Sequence, residues 1–291
     1  MIEDASSINR KNCTILVNSC DNYEDVWLPF FHAFNDMWPN CSCKIVLNTE
    51  HKTFKFDGLD IVTLNLARID GEKPWGWRLR KALSLVDTEF VVSLFDDFIL
   101  EAPVNLEKLG RCIQDMQENP DITAFYFNNI QGPNIRDGLH DGFELTGKRN
   151  DYRLNSAPAV WRTKELFRLT GESDSPWAWE FFGSVRTYTS NNRFYCAHID
   201  MEDTFIYNYA MGGAIRRGKW VLNVIAPAIK KYNLPLDIEK RGIASESLSD
   251  GKYSLKWKID FFLLGFKMIG FKAFIFLYRV LIKKLFKGAT A

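Results

Sequence analysis

The 291-residue chain has no long hydrophobic run. In its most apolar region, residues 254–287, the longest uncharged stretches are six residues, such as 261–266 and 273–278. A membrane-spanning helix needs about 20 mostly apolar residues. Asp260, Lys267, Lys272 and Arg279 would fall inside any such window and exclude one. The opening MIEDASSINRKN is polar and lacks the apolar core of a secretory signal. A chain that is not exported stays in a reducing compartment, so its six cysteines read as free thiols. Cys41-Ser-Cys43 lacks zinc-finger spacing and has no partnering Cys/His pair. Asn12-Cys-Thr14 and Asn40-Cys-Ser42 match the glycosylation sequon but stay idle without export. The lone histidines are uninformative: His198 is a candidate metal ligand but reads first as a satisfied surface or core histidine; there is no internal repeat or low-complexity tract.

Net charge is almost absent too: 37 basic against 36 acidic residues leaves +1. That balance hides a split. Residues 252–291 hold nine basic residues and one acid, a net of +8; the other 28 basic and 35 acidic residues leave the body at −7. A body of that sign is repelled by polyanions, which excludes a nucleic-acid partner. With 46% hydrophobic and 14% aromatic residues, the chain is also no disordered one.

Short apolar runs alternate with amphipathic stretches. Thr14–Asn18, Lys44–Asn48, Asp60–Leu64, Glu89–Phe95 and Thr123–Phe127 read as strands, and 24–38, 75–86 and 106–117 as helices. This alternation implies an α/β fold with a mostly parallel sheet flanked by helices. Residues 130–155, rich in Gly and Asp, read as loop. Ala157–Trp161 reads as a strand and Lys164–Thr170 as a helix. Ser175-Pro176 starts another helix, running to about Tyr188, and Trp220–Ile225 is expected to be the last strand. The expected division is a catalytic domain over 1–251 and a basic C-terminal segment over 252–291.

Asp96-Asp97 follows a buried strand in SLFDDF. Ligands of open α/β sheets bind beyond the carboxyl ends of strands. Adjacent acids in such a crevice are costly unless a cation neutralises them, as a divalent ion on a diphosphate would. A solvated strand-to-loop turn would leave the same pattern.

Four segments together resemble bacterial GT-A-type glycosyltransferases that build capsule and lipopolysaccharide glycans. They are NSCDNYEDVWLPFFHAF (18–34), WGWRLRKAL (75–83), SLFDDF (93–98) and APAVWRTKELFRL with SPWAWEFFGS (157–184). The resemblance implies a GT-A-like, Rossmann-like fold and an inverting transfer from a nucleotide-diphosphate sugar, a UDP-sugar favoured. The acceptor would be a glycan or lipid-linked oligosaccharide. It implies that Asp97 and Asp96 hold Mn²⁺ or Mg²⁺, although the pair is adjacent where the family's motif separates its acids by one residue. Asp21 and Tyr23 would meet base and ribose, and Arg78 the diphosphate.

Glu180 is the expected catalytic base. Its neighbours Trp177, Trp179, Phe181 and Phe182 are apolar, which raises a carboxylate's pKa toward neutrality. Trp177 and Trp179 are candidate acceptor platforms. Glu202-Asp203 is the alternative base. Arg216, Arg217 and Lys219, in the glycine-rich MGGAIRRGKW, are candidates to close over a diphosphate. A glycoside hydrolase using Asp97 and Glu180, or a non-catalytic membrane-tethered carbohydrate-binding protein, remain the alternatives.

In the tail, Lys272, Arg279, Lys283 and Lys287 fall on one helical face, with Phe274, Leu277, Val280, Leu281 and Leu285 on the rest. Gly265 and Gly270 are expected to break the segment into two helices. Such helices lie on an anionic membrane surface, so the expected location is the cytoplasmic face of the cell membrane, peripherally bound.

Overall fold

The computed structural model describes residues 8–208, 212–245, 254–274, 276 and 278. The first half alternates as the apolar runs require: β1 (Cys13–Asn18), α1 (Glu24–Met37), β2 (Lys44–Asn48), β3 (Ile61–Thr63), α2 (Ala67–Asp70), α3 (Trp75–Ser84), β4 (Phe90–Phe95), α4 (Leu106–Glu118) and β5 (Ile122–Tyr126). The second half is more irregular: β6 (Asn134–Ile135), β7 (Phe143–Thr146), β8 (Ala159–Arg162), α5 (Thr163–Leu169), α6 (Pro176–Ala178) and β9 (Arg193–Ala197). It continues with β10 (Ile215–Arg216), β11 (Lys219–Trp220), α7 (Leu222–Tyr232), α8 (Ile238–Arg241) and α9 (Leu255–Ile269).

Among the described residues, nine strands form one sheet in the order β3-β2-β1-β4-β8-β5-β9-β7-β6. Only β8 and β7 oppose the common direction, so the sheet is mostly parallel with helices on both faces. Burial on both faces explains why β1 carries no polar alternation: all six of its residues are buried. Ile15 and Val17 pack with Trp27, Phe30, Phe31 and Phe34 of α1. Leu16, on the opposite face, shares a cluster with Leu79 and Leu83 of α3 and Leu166 and Leu169 of α5.

The chain leaves β1 toward β2 and β3, then returns to the other side of β1 as β4. The crevice beyond the carboxyl ends of β1 and β4 is therefore the topological switch point, where open α/β sheets bind ligands. Asn18 pairs with Phe95 in register, so Ser19-Cys20 and Asp96-Asp97 emerge side by side. The antiparallel β8 begins where β4 ends, with Ala159 opposite Ser93. That reversal delivers Ser156 and Ala157 to the same crevice.

Several expectations need correction. Residues 130–155 hold the short strands β6 and β7, and Arg193–Ala197 is a strand that the sequence reading passed over. The expected strand at 220–225 is confined to β11; Leu222 onward is α7, which buries Val224, Ile225 and Ala228 at helical spacing. Asn233, in the left-handed conformation at φ 50°, ends it. Gly265 does not break the tail: α9 runs through it and stops at Gly270, φ +60°.

The boundary between 251 and 252 falls outside the described residues, as do Met211, Arg279, Lys283 and Lys287. Beyond it, α9 docks on the body. Phe261, Leu264, Met268 and Ile269 pack with Phe182, Val185 and Phe276. A Cβ on Gly265 would sit 2.5 Å from the Phe182 ring, so only glycine permits that approach. No described helix is long and apolar enough to cross a membrane.

Candidate active site

A cleft of about 1020 Å³ lies at the switch point. Its walls come from the ends of β1 and β4, the turn at Tyr23, the start of α3, the loop before β8, the α6 turn, the segment around β10, and α9.

Asp96 is buried at the floor, where Ser19 Oγ donates to its Oδ2. Trp27 Nε1 in turn donates to Ser19 Oγ at 2.6 Å, which orients the hydroxyl. Burial first, then the charge of Asp97, holds the Asp96 carboxyl protonated well above the usual carboxylate range. Asp97 is half-buried and lines the cleft, and burial pushes its pKa up to about 7. Gly213, at φ +93°, lies close against it: an added Cβ would sit 2.8 Å from Asp97 Oδ2. Ala214 N donates to Asp97 O at 2.8 Å, closing the same approach.

Neither aspartate has an ion pair among the described residues, and no described group of three or more His, Cys, Asp or Glu could hold a metal alone. The donor set is thus carboxylate oxygen at one point of an open cleft. That suits a hard divalent cation, Mg²⁺ above all, that keeps waters and takes its other ligands from substrate phosphates. A carboxylate such as Asp97, desolvated and without an ion pair among the described residues, fits such an ion.

Arg78 is buried on α3. It donates through Nη1 to Ser19 O at 3.0 Å, and its Nη2 forms an ion pair with Glu50 Oε1 at 3.1 Å. Among the described residues its Nε–H has no partner, and neither has the buried Nε1–H of Trp75; both residues line the cleft. Buried donors without partners mark where a polar ligand would bond. Tyr23 also lines the cleft. Arg241 stacks over its ring at 5.0 Å and is itself fixed by Asp25. Burial first, then the charges of Asp97 and Asp96, pushes the phenol of Tyr23 up to about 12.

Glu180 lies in a π-helical turn, Trp179–Gly183, that follows α6. Ser175 caps the start, accepting from Ala178 N, and Pro176 occupies the first helical position. The wider turn is the kind of local irregularity found at functional sites. Both hydrogen bonds to the Glu180 carboxylate fall on Oε1, from Ser156 N at 2.7 Å and from Ser156 Oγ. Burial raises its pKa, and the Ser156 bonds oppose that rise. Asp174 braces the loop before α6: its side chain, fully enclosed, accepts from Arg186 and from Gly171 N.

The structure thus brings Tyr23, Arg78, Asp96, Asp97, Trp177, Glu180, Arg216 and Arg217 to one cleft. Arg217 and Gly218, both at positive φ, make the tight turn between β10 and β11.

Other candidates go elsewhere. Asp21 accepts from the backbone N–H groups of Glu50, His51 and Lys52, tying two loops together outside the cleft lining. Trp179 is buried in the core, with its indole N–H on Leu169 O, because its side of the turn faces Trp161 and Trp75. Lys219 is exposed at the start of β11, away from the cleft. Glu202 accepts from Asn129 N, and Asp203 pairs with Lys108 at 2.6 Å. Neither reaches the cleft, so the alternative base has the role of a loop tie.

Sequence reasoning missed Ser19, Glu50, Ser156 and Arg241, and the cleft wall supplied by Trp257, Asp260, Phe261 and Leu264 of α9. The 257, 261, 264, 268 spacing was a legible inward face. Nothing local marks the others, whose partners are distant in sequence.

No protein-family model matches the chain. No curated protein matches it. Among solved structures it is similar to S. aureus TarS 1–349 in complex with UDP-GlcNAc. That match has a TM-score of 0.46 at 12% identity and covers 87% of this chain and 79% of that one. TarS 1–349 without that ligand gives 0.47 at 12%, over 90% and 82%. CMP:2-keto-3-deoxy-manno-octonic acid synthetase complexed with CTP gives 0.35 at 10%, over 64% and 89%.

Proposed function

We propose that this chain is a glycosyltransferase that moves a sugar from a nucleotide-diphosphate sugar to a glycan acceptor. The carrying observation is one cleft at the switch point that holds an uncompensated Asp97 and, on a separate element, a half-buried Glu180. A UDP-sugar is the favoured donor and a lipid-linked oligosaccharide the favoured acceptor. The setting is bacterial surface-polysaccharide synthesis, capsule or lipopolysaccharide, on the inner membrane face, with the enzyme peripherally bound.

In this reading Tyr23 stacks on the base. Arg78, through its spare Nε–H, and Arg216 and Arg217 bind diphosphate oxygens. Asp97, with Asp96 behind it, would hold Mn²⁺ or Mg²⁺; when bound, the ion neutralises charge on the leaving diphosphate. Trp177, about half exposed at the rim, offers its face to an acceptor sugar. Glu180 uses Oε2 to accept the proton of the acceptor hydroxyl while Ser156 holds Oε1. One base and a direct attack at the anomeric carbon give inversion.

Two measurements test this. Thermal shift with nucleoside diphosphates, with and without Mn²⁺ or Mg²⁺, should show stabilisation by one diphosphate only when the metal is present. A hydrolase or a plain carbohydrate-binding protein shows none. Glu180→Gln should keep that stabilisation and lose transfer; full transfer in this variant refutes the base.

A further inference from the structure

We infer that α9 is a two-faced element that docks the protein on an anionic lipid surface and sets the cleft against it. This deepens the peripheral-membrane part of the proposed function and rests on that part. Its observations are independent of the sugar chemistry.

One face of α9 turns inward. Trp257, Phe261 and Leu264 line the cleft, and Gly265 lies against the Phe182 ring. At 100° per residue, Leu255, Ile259, Leu263 and Phe266 fall together on the other side. All four are exposed, Leu255 by 74% and Leu263 by 57%. The patch continues past Gly270: Phe271 is 81% exposed and contacts Phe266, while Phe274 and Tyr278 are also exposed. An outward stripe of large apolar side chains is not needed by the body, whose buried cluster meets α9 on the opposite side through Phe261, Leu264, Met268 and Ile269.

Charge identifies the occupant. Lys258 borders the stripe on one side, and Lys256 and Lys267 border it on the other; Lys272 lies just beyond Gly270. All four are exposed, and none forms an ion pair among the described residues. The one acid of the helix, Asp260, is exposed at the cleft edge beside Lys256 and Lys267, so lysines still outnumber acids along the stripe. An apolar stripe between lysine rows matches acyl chains beneath anionic headgroups. A second copy of the chain would set these lysines against their own kind. Since no described helix can cross a bilayer, α9 would lie in the interface plane. Its inward face would then hold the cleft beside the lipid surface, where a lipid-linked acceptor arrives.

The test is co-sedimentation of the full chain with vesicles of phosphatidylcholine, with and without phosphatidylglycerol. Wild type should bind the anionic vesicles, less so in high salt. The apolar-face variant Leu255→Gln/Ile259→Gln/Phe266→Gln should lower the partition coefficient by about tenfold or more, and Lys256→Gln/Lys258→Gln/Lys267→Gln should remove the preference for phosphatidylglycerol. Because these side chains are exposed, both variants should keep the wild-type melting curve. Wild-type-like vesicle binding by the folded apolar-face variant overturns the inference. So does a wild type that ignores vesicles but dimerises through these same residues. Metal-dependent nucleotide stabilisation is read in parallel. If that is absent while vesicle binding follows α9, the transferase reading fails and the docking surface stands.

Discussion

Replacing Asp97 by Asn should make the protein more stable, and increasingly so as pH rises. Asp97 ionises near pH 3.8 in the unfolded chain and near pH 7 in the folded one, because burial disfavours its charge. Below pH 3.8 both states hold the proton and folding carries no penalty. Between the two values only the unfolded state is ionised, so stability falls as pH rises; above about 7 the loss is constant. From pH 5 to pH 8 the window spans about two pKa units, which at about 1.36 kcal/mol per unit sets an upper bound of about 2.7 kcal/mol. Asp97 keeps some surface in the open cleft, so about 1–2 kcal/mol is expected. Asp96 adds in the same direction, since the charge of Asp97 helps to raise its pKa. For a chain of this size that corresponds to a melting-temperature gap that widens by roughly 2–4 °C. The assay is thermal unfolding of wild type and Asp97→Asn at pH 5 and pH 8, with chelator present. A gap that stays constant, or narrows toward pH 8, would falsify the account of Asp97 as a buried acid without a counter-charge. With metal restored, the same variant should lose nucleotide-dependent stabilisation.

Three further outcomes are expected. Ser156→Ala removes a hydrogen bond that lowers the Glu180 pKa, so the acid limb of the kcat/KM profile should move to higher pH; an unmoved limb separates Glu180 from the chemistry. Gly213→Ala places a Cβ 2.8 Å from Asp97 Oδ2 at a φ of +93°, and should cost about 1–2 kcal/mol in denaturant unfolding while weakening metal-dependent nucleotide binding. Asp174→Ala leaves Arg186 without its carboxylate under the Glu180 turn and should destabilise by about 2–4 kcal/mol; a change below 0.5 kcal/mol in the urea midpoint would contradict that bracing role.

Local pattern determined much of this protein. Strands buried on both faces need unbroken apolar runs, so β1, β2, β4 and β5 could be read from composition alone, and with them the α/β class. The position of Asp96-Asp97 directly after such a run fixed its place at a strand end, and Ser175-Pro176 fixed the start of the Glu180 turn. Pairing was decided only in three dimensions. Whether β8 runs with its neighbours or against them depends on which strands flank it, and that reversal is what carries Ser156 to Glu180. Likewise Trp177 and Trp179, two residues apart and chemically alike, face opposite sides of the helical turn, and only the packing of Trp75 and Trp161 decided that Trp179 is the buried one. The sequence carried the charge split between an acidic body and a basic tail. The fold decided that part of that tail, α9, walls the cleft with one face and leaves the other, edged with lysines, open. A helical period assigns residues to faces, but which face is covered depends on what the rest of the chain brings against it.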